Sequence, residues 1–310
     1  MAMGRPPADA AGGGSSPGSS LGSAPGTALT RATRASALGA RLPPLVVAAE
    51  RVAATVMQGV HGRRRAGQGD AFWQFRPFLQ GDSSTRIDWR QSAKTERLFV
   101  RETEWEAAQT VLLWRDASAS MRWRSNLAPV EKAARAELLL LALAALLLRG
   151  GERVRLLGGA DRRAYGGRTA LESLARALDA AGGAPVDATA PRHARAVLIG
   201  DFLGPLEEVR REVAALAARP VRGHLLLVAD PAEETLPYAG RVRFEGLEDE
   251  GETLIPRAET ARALYAERLA QHRAGLAAIA GAAGWGFAVH RTDQPPEAAL
   301  LALWQALAPG

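Results

Sequence analysis

The chain has 310 residues, a formal net charge of +6 and no cysteine, and 47% of its residues are hydrophobic. Such a composition is typical of a globular protein, and the absence of cysteine excludes disulfides, thiolate metal sites and a cysteine nucleophile. Arginine supplies 37 of the 39 basic residues, and neither Lys94 nor Lys132 follows a glycine. The Gly-Lys-Ser/Thr step of a phosphate-binding loop is therefore missing, which excludes a P-loop ATPase.

The N-terminal residues 1–35 are rich in Gly, Ser, Pro and Ala and hold few bulky apolar side chains, so we expect a disordered leader there. This leader also lacks the apolar core of a signal peptide. The longest apolar run, 138–148, has 11 residues, whereas a membrane-spanning helix needs about 20. We therefore expect a cytoplasmic protein with no membrane segment.

The segment 36–105 is predicted to form a helix followed by a β-rich appendage. Apolar residues recur at helical spacing over 45–56, directly after two prolines, which predicts the helix. In 61–101, nine Lys/Arg accompany four Asp/Glu, and six of the 17 aromatic residues occur without a helical period. Turn-forming residues interrupt this part, so we expect strands and turns in which Trp89 and Phe99 are packed.

The remainder, 106–310, alternates between short apolar strands and longer helices. Continuous apolar runs at 110–114, 194–200 and 221–229 are typical of parallel strands that are buried on both faces. Helices are predicted between and after these runs, with a β-hairpin over 241–256 and a last strand at 285–290. This alternation predicts an α/β fold, with a mostly parallel sheet and helices on both faces.

Oxygen-bearing side chains follow two of the predicted strands, at the edge where open α/β sheets bind ligands. The first strand continues into an Asp-Ala-Ser-Ala-Ser loop at 116–120, which places one carboxylate and two hydroxyls close together. Such residues are also common in turns and helix caps, so a plain turn is the alternative. Hard oxygen donors suit Mg²⁺, with Mn²⁺ or Ca²⁺ as alternatives. The five candidate metal ligands are Asp116, Ser118, Ser120, Thr169 and Asp201.

These five positions resemble the metal-ion-dependent adhesion site of von Willebrand factor A domains. In that family the serines and the threonine bind a cation, the aspartates bind it directly or through water, and one position stays open for a carboxylate of a partner protein. The resemblance implies a Rossmann-like sheet with a short antiparallel strand near 163–166. It also implies a protein partner that supplies an acidic residue.

A second resemblance lies upstream, in the block GDSSTRIDWRQSAK at 81–94. This block, together with the Asp-x-Ser-x-Ser-Met sequence that ends at Met121, is similar to the signature of the bacterial domain of unknown function 58 family. The likeness covers about 60–310. It implies a role beside MoxR-type AAA+ ATPases, as a partner or adaptor.

Two other functions fit parts of this sequence. The basic, aromatic segment 61–101 is a candidate for nucleic-acid binding, but packing of its rings and pairing of its charges explain the same composition. A Mg²⁺-dependent hydrolase is the other alternative, with Asp116 and Asp201 as ligands. No His, Lys or Glu stands beside these residues in the sequence as a base. The expected function is therefore a non-enzymatic, divalent-metal-dependent protein-interaction module.

Overall fold

The computed structural model describes residues 44–58, 72–79, 87–94, 97–103, 109–167, 169–187, 189–247 and 251–307. The chain divides into two compact units, a small one at Val60–Ala108 and a large one formed by Met1–Gly59 and Gln109–Gly310. The first described helix, α1, spans 44–58 and belongs to the large unit, which confirms the helix predicted near 45–56. The predicted leader, 1–35, lies outside the described residues.

The small unit is built on two antiparallel strands, β1 (Phe72–Pro77) and β2 (Phe99–Thr103). A short helix, α2 (Trp89–Ser92), begins where the Asp88 carboxylate accepts the backbone N–H of Gln91 at 2.9 Å. The strands confirm the predicted β-rich character, but the expected packing of Trp89 is wrong. Its side chain is 66% exposed, whereas Ser92 is the buried residue of α2.

The large unit contains a parallel sheet of five strands in the order β4-β3-β5-β6-β9. Strand β3 coincides with the apolar run that begins at 110. Each later strand of this sheet follows a helix, and a hairpin also lies between the fourth and fifth of these strands in the chain. The α/β fold predicted from this alternation is confirmed. The strands are β3 (Thr110–Arg115), β4 (Arg153–Leu156), β5 (Arg195–Gly200), β6 (Arg222–Ala229) and β9 (Gly286–Arg291).

Helices lie between and after the strands as the alternation predicts, and the predicted hairpin forms. A short helix after β6 was not predicted, although the Asp-Pro-Ala-Glu sequence at 230–233 is a helix-start signal. The remaining elements are α3 (Lys132–Arg149), α4 (Ala170–Leu178), α5 (Leu206–Ala217), α6 (Pro231–Thr235), the hairpin β7 (Val242–Glu245) and β8 (Glu252–Ile255), α7 (Ala258–Ala282) and α8 (Pro296–Ala306).

Both faces of the sheet are covered by helices. Leu112, Leu198 and Leu225 pack with α5 and α7 in one apolar cluster. Side chains alternate along a strand, so the neighbouring Val111 and Leu113 point to the other face, where α3 lies against the sheet. At the sheet margin, Val154 of β4 forms an antiparallel bridge with Tyr165, which confirms the short antiparallel segment predicted near 163–166.

Helix α3 is buried along most of its length, although it carries charged residues in its first turns. Pro129 is a helix-start residue in the sequence, but the helix begins at Lys132, and 129–131 are not helical. Among the described residues, no helix is both long enough and apolar enough to cross a membrane. The buried Lys132 and Arg135 in the first turns of α3 are bonded to groups of the same chain.

One of these charged residues, Arg135, joins α3 to the end of β9. Its guanidinium donates to the carbonyl of Thr292 at 2.9 Å and to the carbonyl of Gln294, and it lies 2.9 Å from Nε2 of His290. Arginine can only donate, so His290 accepts through Nε2 and is neutral. Burial, with the charge of Arg135, lowers the pKa of His290 to about 4.

This depressed pKa predicts that the protein loses stability as the pH falls from about 6.5 to about 4, because the unfolded chain binds a proton that the folded chain does not. Between pH 7 and pH 5 the expected loss from His290 is about 2 kcal/mol. Urea unfolding at both pH values measures it. The loss should be smaller in His290→Gln, and an equal loss in the two proteins would contradict the prediction.

Candidate functional site

The candidate site lies at the carboxyl edge of the sheet, because adjacent parallel strands end on the same side. Asp116, Asp201 and Asp230 are the first residues after β3, β5 and β6. These three strands are neighbours in the sheet. The topology therefore brings the two predicted aspartates to one edge and adds a third, which was not among the predicted ligands.

The 116–120 loop brings together three of the five predicted ligands. The backbone N–H of Asp116 donates to the Ile199 carbonyl at 2.8 Å, which extends the pairing of β3 with β5 by one residue. The Asp116 carboxylate then accepts the backbone N–H of Ser118 at 2.8 Å. The hydroxyl oxygens of Ser118 and Ser120 are 3.0 Å apart. One carboxylate and two hydroxyls thus share a single loop, which is half-buried at 116–119 and buried at Ser120.

A glycine at the end of β5 makes room for this loop. A Cβ on Gly200 would lie 2.7 Å from the Asp116 Cβ and 3.1 Å from its Oδ2. Because Gly200 has no Cβ, the Asp116 side chain can lie against the end of β5 at Gly200, directly before Asp201. An isolated glycine in a strand is a sequence signal for such a close approach. Gly200 therefore positions Asp116 and was missed as a candidate.

The fourth predicted ligand, Asp201, is held by a buried lysine. Asp201 is 3% exposed, and its Oδ2 accepts a hydrogen bond from Nζ of Lys132 at 2.9 Å. Its Oδ1 lies 3.3 Å from the backbone N–H of Leu203. Lys132, which is 1% exposed, also forms an ion pair with Glu233. Burial opposes the charge of Lys132, but the two carboxylates outweigh it and raise the pKa of the ammonium.

The third aspartate, Asp230, is fully buried and satisfied by hydrogen bonds. Its carboxylate accepts the backbone N–H and the hydroxyl of Ser125 at 2.8 and 2.5 Å, and the backbone N–H of Ala232 at 2.8 Å. The backbone N–H of Asp230 in turn donates to Glu233 at 2.8 Å. Asp230 therefore caps α6 and ties it to the segment that leads into α3.

The fifth predicted ligand, Thr169, lies at the start of α4 as the sequence indicates. It is exposed, and its hydroxyl forms no capping hydrogen bond with the helix. In the described part of the chain, no hydrogen bond joins it to the 116–120 loop. Its role as a metal ligand stays a prediction.

The loop itself suits a hard divalent cation. Oxygen ligands of Mg²⁺ lie about 2.1 Å from the ion in octahedral geometry, so neighbouring ligands are about 3.0 Å apart. The Ser118 and Ser120 hydroxyls, which are hydrogen-bonded to each other, have the same separation. Within the described ranges, His, Asp and Glu side chains form no group of three that could hold a metal ion, so hydroxyls would have to contribute. Asp201 fits less well, because Lys132 already occupies its carboxylate.

Sequence reasoning missed Lys132 and Glu233. Lys132 is 69 residues from Asp201 in the chain, and Glu233 lies in α6, directly after the end of β6. One signal was available for the lysine. In a chain that uses arginine at 37 of 39 basic positions, a lysine in the first turn of a very apolar helix is unusual. The basic residues 63–65, on which the nucleic-acid alternative depends, lie outside the described residues.

Comparison with known proteins adds a family. The model of a family described as "Protein of unknown function DUF58" matches residues 74–275, from β1 into α7, so the match includes the 116–120 loop and the charged cluster of Lys132, Asp201 and Glu233. No curated protein matches the chain. A similar solved structure is that of the conserved hypothetical protein BatB from Bacteroides thetaiotaomicron, with 16% identity, 64% of this chain and 97% of that chain covered, and a TM-score of 0.37.

The close approach of Gly200 to Asp116 predicts that Gly200→Ala displaces the loop and lowers the free energy of unfolding by about 1–3 kcal/mol. Gly204→Ala is the matched control, because a Cβ there would meet nothing within 4 Å. Denaturant unfolding of both variants measures the difference. Equal stability of the two variants would show that the Asp116 side chain does not depend on this space.

Proposed function

This chain belongs to the DUF58 family, and we propose that its large unit is a non-enzymatic protein-interaction module that binds a partner through a divalent cation. The observation that carries the proposal is the 116–120 loop, where the Asp116 carboxylate and two hydroxyls 3.0 Å apart offer oxygen donors at a half-buried strand end. The resemblance to the adhesion site of von Willebrand factor A domains supports the same assignment.

Asp116, Ser118 and Ser120 would hold the ion. Thr169 was also predicted as a ligand, as was Asp201, but the carboxylate of Asp201 is already bonded to Lys132. Mg²⁺ is the expected ion, and Mn²⁺ or Ca²⁺ would suit the same oxygen donors. When bound, the cation would supply positive charge to an acidic side chain of a partner. With Asp116 as the loop's single carboxylate, a divalent ion there keeps a net charge of about +1, which favours such a side chain.

The charged residues around Asp201 favour interaction over catalysis. Lys132 and Glu233 stand near a candidate metal ligand, where a hydrolase would need an acid or a base. However, Lys132 is buried and forms ion pairs with both carboxylates, so its ammonium is not available to a substrate.

The proposed partner is a MoxR-type AAA+ ATPase, and this assignment rests on the family resemblance.

Metal binding predicts a thermal shift. Mg²⁺ or Mn²⁺ should raise the melting temperature of the wild-type protein, because an ion that binds only the folded state stabilises it by about 2.7 kcal/mol at 100 times its Kd. Asp116→Ala should remove the shift, and Asp161→Ala, which alters an exposed carboxylate outside the loop, should keep it. A wild-type melting curve that millimolar metal leaves unchanged would contradict the proposed metal site.

Partner binding predicts a metal-dependent pull-down. The wild-type protein should retain a MoxR-type AAA+ ATPase in Mg²⁺ and release it in a chelator. Ser118→Ala should lose the ATPase, whereas Ser173→Ala, a half-buried serine on α4, should retain it. A variant with Arg63, Arg64 and Arg65 replaced should also retain it. Filter binding of nucleic acid to the same variants tests the alternative, which is favoured if the triple-Arg variant alone loses the nucleic acid and binding falls steeply with salt.

A further inference from the structure

The ammonium of Lys132 occupies a closed site of its own. It contacts Oδ2 of Asp201 at 2.9 Å and Oε1 of Glu233, so two carboxylates from different elements converge on one nitrogen. Lys132 is one of the largest fully buried side chains among the described residues. A buried ion pair needs its remaining polar atoms to be satisfied before its desolvation cost is offset.

The other oxygens of this site are also occupied. Oδ1 of Asp201 lies 3.3 Å from the backbone N–H of Leu203, and Oε2 of Glu233 accepts the backbone N–H of Asp230 at 2.8 Å. Each carboxylate is therefore bonded to a backbone N–H as well as to the lysine. The lysine adds a single positive charge between Oδ2 of Asp201 and Oε1 of Glu233, the two remaining carboxylate oxygens.

The chemistry of this point suits a small cation. Lysine carries a compact ammonium, whereas arginine carries a broad planar group, and the chain uses lysine here although it uses arginine at almost every other basic position. Two carboxylate oxygens that contact one nitrogen are also placed to bind one metal ion at the same position. By charge count, one ammonium leaves the pair at −1, whereas a divalent ion would neutralise it.

We propose that Lys132 is the built-in cation of this edge: its ammonium takes the position between Asp201 and Glu233 that a divalent ion would otherwise occupy. Asp201 is then a fixed counter-ion of Lys132 and not a ligand of an ion at the 116–120 loop. The predicted adhesion-type site is thereby divided into two parts, an open loop with one carboxylate and a sealed ionic centre that needs no metal.

The consequence for the fold is that Lys132 connects three elements without metal. It begins α3, Asp201 follows β5, and Glu233 lies in α6. The segment before Lys132 is held on the same side, because Ser125 is bonded to Asp230. The edge is therefore preassembled, whether or not the loop binds an ion.

Mn²⁺ titration of purified full-length variants tests the proposal, with thermal melts in Mn²⁺ and in a chelator. Lys132→Met should melt at a lower temperature in the chelator and should bind Mn²⁺ at least about tenfold more tightly than the wild type, because two carboxylates become free. The gain should disappear in Lys132→Met/Asp201→Asn. Lys94→Met, which changes the other lysine at an exposed position, should behave as the wild type.

Asp201→Asn in the otherwise wild-type chain provides the second measurement. Its Mn²⁺ affinity should stay within about twofold of the wild type while its melting temperature falls, since the buried ammonium loses a partner. This arm rests on the proposed metal site at the loop. A loss of Mn²⁺ affinity as large as that of Asp116→Ala would overturn the proposal, because it would make Asp201 a ligand.

The two proposals fail separately. A wild-type protein that binds no Mn²⁺ contradicts the loop site, and Lys132→Met then decides the present inference alone. Gain of Asp201-dependent Mn²⁺ binding supports it. An unchanged Mn²⁺ response, or a Lys132→Met protein that stays unfolded in millimolar Mn²⁺, overturns it, because the ion should replace the missing charge.

Discussion

The ion pairs of one buried lysine hold together the elements that form the candidate site. Two carboxylates and one ammonium are largely removed from water, which costs several kcal/mol for each ion unless the partners are well placed. The cost is offset because Lys132 meets Asp201 and Glu233 directly and because backbone N–H groups occupy their other oxygens. The ends of β5, α3 and α6 therefore depend on one another.

This arrangement separates two kinds of polar surface at one sheet edge. The ionic centre is sealed, whereas the 116–119 part of the loop is half-buried and can be reached from outside. A sealed charge cluster stabilises geometry but cannot exchange ligands, and a half-buried loop can. The proposed interaction function is therefore assigned to the half-buried Asp116 and Ser118, with the buried Ser120 as the third oxygen donor of the loop, and the ionic centre supports them.

Helix α3 carries a second buried cation, which works differently. Arg135 is bonded mainly to backbone carbonyls beyond β9, and its neighbour His290 is neutral. The guanidinium spreads its charge over several donors, so carbonyl oxygens can satisfy it. The compact ammonium of Lys132 instead needs carboxylates. The two basic residues in the first turns of α3 thus fasten the helix to two different strand ends.

Several features of this protein could be predicted because they depend on residues close together in the chain. Continuous apolar runs indicate strands such as β5 and β6, since a parallel strand buried on both faces must be apolar throughout. The spacing of Asp116, Ser118 and Ser120 is local, so their convergence on one loop follows from the sequence. The start of α4 at Thr169 follows in the same way.

Tertiary structure alone decided which distant charges meet. Lys132 is 69 residues from Asp201 and 101 residues from Glu233, and Asp230 is 105 residues from Ser125. Periodicity shows that α3, β5 and β6 exist, but it does not reveal which of their ends are adjacent. That depends on strand order, which is set by burial of both sheet faces together. The role of Asp201 changed for this reason: its sequence context indicates a metal ligand, and its neighbours in space make it the partner of a lysine.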